Sequence, residues 1–475
     1  MFLHQGASAF FSDYIFLMTS FSSLPLSQSQ LDALRSLGYE TMTEVQAQTL
    51  SPVLKGQDVI AQAKTGSGKT AAFGIGLLHQ LNPRFFGVQA LVLCPTRELA
   101  EQVGKEIRKL ARFIPNIKLV MLCGGKPIGP QIGSLAHGAH VIVGTPGRIQ
   151  DHLRKNTLKL DALKTLVLDE ADRMLDMGFA EVMKDIIGQT PTSRQTLLFS
   201  ATYPDGIQQI SQQIQRSPAR VTVTATHQPN IIEQTFYEVT ESERNAGLLS
   251  LFQHYRPDSC VVFCHTKKQC DEVAGLLRDN QITALALHGD LDQRQRDQVL
   301  VRFANNSCPV LVATDVAARG LDIKSLQMVI NYELPRDPEV YIHRIGRTGR
   351  AGEKGVAVSL LTPPQTPRLT AIENYRGESC RYEDISSLRL DSGYALTAVM
   401  ATLQIDAGRK NKLRPGDILG ALTGDAGLDA KHIGKIDIFD MSSYVAVDIS
   451  VYRQALNYLA NGKIKGRSIR ARLIR

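Results

Sequence analysis

The residues best equipped for chemistry lie in two short runs about a hundred positions apart. The first is Ala63-Lys64-Thr65-Gly66-Ser67-Gly68-Lys69-Thr70. It follows an apolar, strand-like run (58–62) and precedes an amphipathic one. Glycines at this spacing let the backbone wrap closely around an anion, and the exposed N–H groups at a helix start bind phosphate. Lys69 can reach the outer phosphates of a nucleoside triphosphate, and the Thr70 hydroxyl can join the shell of a Mg2+ ion. The second run, Leu166-Val167-Leu168-Asp169-Glu170-Ala171-Asp172, places an acidic pair at the end of another apolar strand. Asp169 suits the same cation, held through water, and Glu170 suits the orientation and deprotonation of a water attacking the γ phosphate. Either acid alone could simply cap the next helix. Together with the glycine loop they specify triphosphate hydrolysis.

Such residues must sit at the ends of strands, and the pattern supplies them. Short β-rich apolar runs alternate with longer amphipathic stretches, as in parallel sheets with helical crossovers. One set of expected strands is 58–62, 90–94, 119–122, 141–143, 166–168 and 196–199; a second is 260–263, 284–287, 310–312, 328–330 and 356–360. The polar stretch 216–229 separates the sets, and the prolines Pro363, Pro364 and Pro367 open a second seam at 362–394. The expected organisation is α/β, with a first lobe over 18–220, a second over 221–365, a linker over 366–394 and a small α+β domain over 395–475. Residues 1–17 lack the cationic start and cleavage site of a signal peptide. They are expected to be a translation-start artefact ahead of Met18, or a disordered segment.

Composition narrows the class. With 43% hydrophobic and 21% charged residues in 475, the chain is ordinary for a globular protein of about three domains. No run approaches the roughly 20 apolar residues of a membrane helix. Seven scattered cysteines with no Cys-x-x-Cys pair fit core packing in a reducing cytosol, hence a cytoplasmic location. The net charge of +8 is concentrated in the tail: 395–475 holds 13 Lys and Arg against 7 Asp and Glu. A basic surface of this kind points to phosphate-rich partners.

Asp169-Glu170-Ala171-Asp172 also spells the motif after which the DEAD-box RNA helicases are named, and from about Phe21 to Leu361 the sequence resembles that family, with its motifs in order. The resemblance implies two tandem RecA-like lobes, ATP and Mg2+ as cofactors, and RNA as partner. Phe21 and the segment ending Val45-Gln46 resemble the adenine-reading motif, although Met42 and Glu44 stand where the family usually has proline. Pro95-Thr96-Arg97, Gly124-Gly125 and Thr145-Pro146-Gly147-Arg148 resemble the first lobe's RNA-gripping elements. Hydroxyls, exposed amides and an arginine grip a strand without reading bases. Ser200-Ala201-Thr202 resembles the motif that couples nucleotide state to strand separation.

In the second lobe the resemblance assigns RNA contacts to Thr266, Asp290 and Thr314, nucleotide approach to Gly320 and Asp322, coupling to His343 and Arg344, and the arginine fingers to Arg347 and Arg350. Fixed cations are what a phosphoryl transfer in progress requires. The second lobe has no glycine loop, so its arginines make sense only if both lobes serve one nucleotide.

The order strand, helix, strand, strand, helix, strand over 396–474 suits an RNA-recognition fold. Its usual stacking aromatics are mostly missing: the first strand offers Gln404, and the third offers Tyr444 but Val447 at its later site. Charge is the expected replacement, from Arg409, Lys410, Lys412, Lys463 and Lys465 among others. The run Arg409-Lys410-Asn411-Lys412 through Gly424, with Lys463-Ile464-Lys465-Gly466, resembles the tail of the bacterial DbpA subgroup. That implies tethering to a hairpin of 23S ribosomal RNA in assembling large ribosomal subunits, by a protein acting as a monomer. A DNA-translocating ATPase and a non-hydrolysing RNA clamp are the competing classes.

Overall fold

The structure is a computed structural model that describes residues 20–63, 66–203, 205–223, 232–318, 326–349, 354–391 and 393–474. Lys64, Thr65, Gly320, Asp322, Arg350 and the first nineteen residues lie outside the described residues.

In the first lobe seven strands form one parallel sheet: β1 (Val59–Gln62), β2 (Ala90–Leu93), β3 (Leu119–Leu122), β4 (Val141–Gly144), β5 (Thr165–Asp169), β6 (Gln195–Ser200) and β7 (Ala219–Thr222), in the order β3-β4-β2-β5-β6-β1-β7. Helices cover both faces, which is why the inner strands are apolar throughout rather than alternating. Val92, Val167 and Leu197 join one core layer with Phe73, Val103 and Ile107. Leu91, Leu166 and Leu198, one residue out of phase, join the other with Ile149, Met174 and Ile186.

The second lobe repeats the plan with β8 (Ile232–Glu238), β9 (Cys260–Cys264), β10 (Ala284–Leu287), β11 (Val310–Thr314), β12 (Met328–Asn331), β13 (Gly355–Leu361) and β14 (Arg381–Asp384), in the order β10-β11-β9-β12-β13-β8-β14. The tail adds an antiparallel sheet, β16-β17-β15-β18, from β15 (Met400–Ile405), β16 (Ile433–Ile438), β17 (Ser443–Asp448) and β18 (Ala471–Leu473). Its helices Pro415–Gly420 and Tyr452–Asn461 pack on one face over Leu403, Ile405, Val445 and Val447.

Three departures from the expected pattern stand out. The stretch 216–229, expected to be a linker, contributes edge strand β7, paired with β1. The expected linker 366–394 instead carries the helix Thr366–Arg376 and strand β14, which completes the second lobe's sheet beside β8. Both edge strands are mostly solvent-facing and polar, so they lack the apolar signature of a central strand. Val447, expected on the tail's open face, is buried in the tail's core, and Tyr444 and Ala446 alternate with it on the other face.

Candidate nucleotide and RNA sites

Apart from Phe21 and Gln46, the described motif residues of the first lobe follow the C-terminal ends of its strands, where ligands of open α/β sheets bind. The sheet order divides them. Strands β1, β5 and β6 deliver the glycine loop, Asp169-Glu170 and Ser200. Strands β2, β4 and β3 deliver Pro95-Thr96-Arg97, Thr145-to-Arg148 and Gly124-Gly125. The motifs expected to bind phosphate and those expected to grip RNA therefore occupy adjoining halves of one edge.

In the glycine loop Lys69 is almost fully buried, and its Nζ donates to the Ala63 carbonyl at 2.8 Å. Gly68 enters the helix Lys69–His79 with φ 97°, and a Cβ there would lie 2.5 Å from Gln46 Nε2, so only glycine fits. Beneath the loop, Thr43 Oγ1 donates to the Ser67 carbonyl at 2.8 Å and Gln46 Nε2 to the Gly68 carbonyl at 3.2 Å. Gln46 Oε1 accepts from the Thr43 N–H at 2.9 Å, so Thr43 and Gln46 start the helix Glu44–Leu54 by capping, in the absence of the family's prolines. Phe21 is buried in the lobe's core, edge-on to Tyr39.

Beside the loop, burial pushes the Asp169 carboxyl up to about 7, against the pull of Lys69 and with Glu170 adding to the rise. Glu170 takes a left-handed backbone (φ 51°), is 4% exposed and lies 3.4 Å from Arg173 Nε. That contact is made by its buried Oε2, which makes no hydrogen bond among the described residues. A buried carboxyl whose negative charge burial leaves undercompensated suits a hydrated divalent cation, and a buried Glu170 oxygen with no hydrogen-bond donor suits an ordered water beside a phosphate cradle.

Sequence reasoning passed over Asp172 as a site residue. Its buried Oδ2 accepts from the N–H groups of Ala201 and Thr202 at 3.2 and 3.1 Å and from Thr202 Oγ1 at 3.0 Å. Its own N–H donates to Ser200 Oγ at 3.4 Å. Asp172, two residues after the acidic pair, and Ser200-Ala201-Thr202 are thereby one hydrogen-bonded unit.

On the RNA half, Thr96 caps the helix Arg97–Leu110 through Leu99 N at 3.2 Å, and the Arg97 guanidinium lies over Gly124. Gly125 has φ 75°. Arg148 donates twice to the Lys126 carbonyl, at 3.1 and 3.0 Å, which fixes the start of the helix Pro146–Arg154 that Thr145 precedes.

In the second lobe Thr266 caps the helix Lys267–Asp279 after β9, Asp290 follows β10 and pairs with Lys267, and Thr314 ends β11. Arg344 is 2% exposed. It reaches Asp315 through Nε and Nη2 (2.6 and 2.8 Å), and Asn331 and the Glu333 carbonyl through Nη1 (2.9 and 2.7 Å). His343 is on the same helix, Pro338–Ile345, and Arg347 lies just beyond it, buried, with its carbonyl accepting from Leu326 N.

In the tail, two loops far apart in sequence meet: Lys465 Nζ donates to the Lys412 carbonyl at 3.4 Å and lies 3.5 Å from Asp417. Arg409 pairs with Asp440 at 3.1 Å, Lys410 is beside it, and the Lys463 carbonyl accepts from Tyr458. The face of β15 opposite the tail's helices is turned to the second lobe: Thr402 bonds Asn305 (2.9 Å) and Ser307 (2.8 Å), and Gln404 bonds Gln298 (3.2 Å). Leu396 N donates to Gln281 O at 3.1 Å, and Thr283 N donates to Leu396 O at 2.8 Å, extending the attachment. Stacking of bases on that face is thus replaced by protein contact.

Two RecA-like lobes with a phosphate loop, an acidic pair and buried arginines define a nucleoside-triphosphatase that works with a nucleic acid strand. Models of the DEAD/DEAH box helicase, the helicase conserved C-terminal domain and the DbpA RNA binding domain match residues 43–210, 243–352 and 402–473. The chain belongs to the DEAD-box ATP-dependent RNA helicases, in the DbpA subgroup, and is an RNA-stimulated ATPase. It is 55% identical over 460 residues, 96% of its length, to the whole of the ATP-dependent RNA helicase DbpA of Escherichia coli. Over 358 residues, 75% of this chain and 68% of the relative, it is 46% identical to the DEAD-box ATP-dependent RNA helicase CshA of Bacillus cereus. Among solved structures, S. cerevisiae Dbp5 bound to RNA and ADP BeF3 matches 77% of this chain and 96% of its own with a TM-score of 0.70 at 32% identity. Among the described residues no helix is long and apolar enough to cross a membrane.

Proposed function

We propose that this helicase, a cytoplasmic monomer, is delivered by its C-terminal domain to a hairpin of 23S ribosomal RNA, where it opens or remodels short duplexes during assembly of the large ribosomal subunit. The observation that carries this reading is the convergence of the Lys412 and Lys465 loops within a domain of the DbpA RNA-binding type, while the domain's sheet face is spent on protein contact. Arg409, Lys410, Lys412, Lys463 and Lys465 then make the RNA contacts that stacking aromatics would make elsewhere.

In the nucleotide site, Ala63 to Thr70 hold the phosphates, with Lys64 and Thr65 assigned by sequence alone, and Phe21 and Gln46 serve the adenine side. Thr70 and Asp169 would hold Mg2+, largely through water, and the ion would supply charge neutralisation between the phosphates. Glu170 orients the attacking water and takes its proton, and Arg347 and Arg350 balance the charge that develops on the γ phosphate. Gly320 and Asp322 approach the nucleotide from the second lobe. Pro95, Thr96, Arg97, Gly125, Thr145, Arg148, Thr266, Asp290 and Thr314 grip one RNA strand by its backbone. Ser200, Thr202, His343 and Arg344 couple the two ligands. Residues of both lobes engage ATP and RNA alike, so each ligand tightens the other's binding, and hydrolysis releases both.

The test is ATPase activity of the wild type and of Glu170→Gln with 23S ribosomal RNA, an unrelated RNA and DNA. Strong stimulation by 23S RNA alone, abolished in the variant, is the expected result. Equal stimulation by any RNA would remove the 23S assignment and leave a general helicase.

A further inference from the structure

The second lobe contains a partly buried charged cluster that none of the assigned motif roles requires. Its hub is Glu333, in the loop after β12. The carboxylate accepts from His265 Nδ1 at 2.7 Å and Gln269 Nε2 at 2.7 Å, and lies 2.8 Å from Arg244 Nη1. These partners belong to different elements: His265 to the turn after β9, Gln269 to the helix it leads into, and Arg244 to the start of the helix Arg244–Tyr255. Arg244 is 1% exposed and lies over the Tyr332 ring at 5.4 Å. Gln269 closes the arrangement by accepting from the His265 N–H at 3.0 Å, and its own N–H donates to Thr266 Oγ1 at 3.1 Å. The carboxylate therefore sets the position of the turn that presents Thr266.

The same residue faces the other way through its main chain. The Glu333 carbonyl accepts from Arg344 Nη1 at 2.7 Å, and Arg344 in turn grips Asp315, directly after Thr314. Arg347 lies three residues beyond Arg344. One residue thus ties the Thr266 turn, by its side chain, to the arginine-bearing helix, by its backbone. Side-chain and main-chain contacts of a single residue move together, so a shift of the helix on nucleotide engagement is passed to the Thr266 turn without an intermediary.

We infer that Glu333 is a positioning residue that couples nucleotide engagement by the arginine helix to RNA grip at Thr266, with His265 and Gln269 as its levers. This rests on the reading of Thr266 as an RNA contact and of Arg347 as a nucleotide contact.

The test measures the RNA dissociation constant with and without a non-hydrolysable ATP analogue, for the full-length wild type, Glu333→Gln, His265→Ala and His265→Asn. Glu333→Gln keeps the backbone carbonyl and the side-chain volume but loses the charge that holds the three partners His265, Gln269 and Arg244. The expected result is that the analogue tightens RNA binding roughly tenfold less in Glu333→Gln than in the wild type, within the range over which coupled ligands influence one another, while analogue affinity without RNA is unchanged. His265→Ala shows part of the same loss, and His265→Asn, which can still donate to Glu333, recovers it. A structural role would lower the melting temperature and leave the ratio alone. A wild-type ratio retained by a folded Glu333→Gln overturns this inference alone. No coupling in the wild type overturns the proposed ATP–RNA mechanism and this inference with it.

Discussion

Replacing Asp169 by asparagine should stabilise the first lobe while removing its chemistry. In the folded protein burial holds the Asp169 carboxyl at about 7, against an ordinary value of 3.8. Between about pH 4 and 7 the folded state therefore keeps a proton that the unfolded chain has released, and stability falls as pH rises, by up to about 1.4 kcal/mol per pH unit. Over roughly three pH units the ionised carboxylate costs the nucleotide-free lobe about 4 kcal/mol. Asparagine has the same shape and stays neutral. Its advantage should grow from nothing near pH 4 to about 4 kcal/mol at pH 8, or roughly 8–16 °C in the first lobe's melting temperature at about 2–4 °C per kcal/mol. Scanning calorimetry at pH 5, 6, 7 and 8 without nucleotide measures the difference, and an ATPase assay on the same samples should show turnover lost. A variant no more stable than the wild type at pH 8, or more stable by the same margin at every pH, would refute the reasoning.

Gly68→Ala should reduce nucleotide affinity more than a hundredfold in an equilibrium titration, because its Cβ would meet the Gln46 amide and its φ of 97° is strained for alanine. Asp172→Asn can turn its single amide oxygen to Ala201 and Thr202 or to the Arg173 N–H, which Asp172 Oδ1 accepts at 3.0 Å, but not to both, and should cost about 1–3 kcal/mol; duplex unwinding per ATP hydrolysed is expected to fall more than ATPase turnover itself. Lys412→Glu with Lys465→Glu should abolish the preference for 23S RNA in competition binding while an unrelated RNA still stimulates hydrolysis. Thr402→Arg would thrust a charge between β15 and the second lobe, and faster proteolysis of the 390–400 segment in the folded protein is the expected sign that the tail has let go.

Much of the site is legible in the amino-acid sequence, because phosphate binding and catalysis at strand ends are local. A glycine loop, a lysine and an acidic pair need fixed spacings within a few residues, and those spacings survive in one dimension. Most inner strands are equally legible, because a parallel sheet covered on both faces favours apolar residues throughout, as at Leu91 to Leu93 and Leu166 to Leu168; inner strand β8 is not, since Glu233 to Thr235 make its first half polar. Edge strands β7 and β14 escape because half of each faces water, so their composition matches that of a loop.

Sequence by itself determined the chemistry, its two-lobed carrier and the basic tail. Tertiary structure alone decided which groups meet. Nothing in the spacing from Asp172 to Thr202, from His265 to Glu333, or from Thr402 to Asn305 announces a contact, since a hydrogen bond between side chains 30 to 100 residues apart depends on strand order. Strand order also set the glycine loop and the candidate RNA-gripping loops on adjoining halves of one sheet edge, and turned the open face of the tail from a surface for bases into a surface for the second lobe.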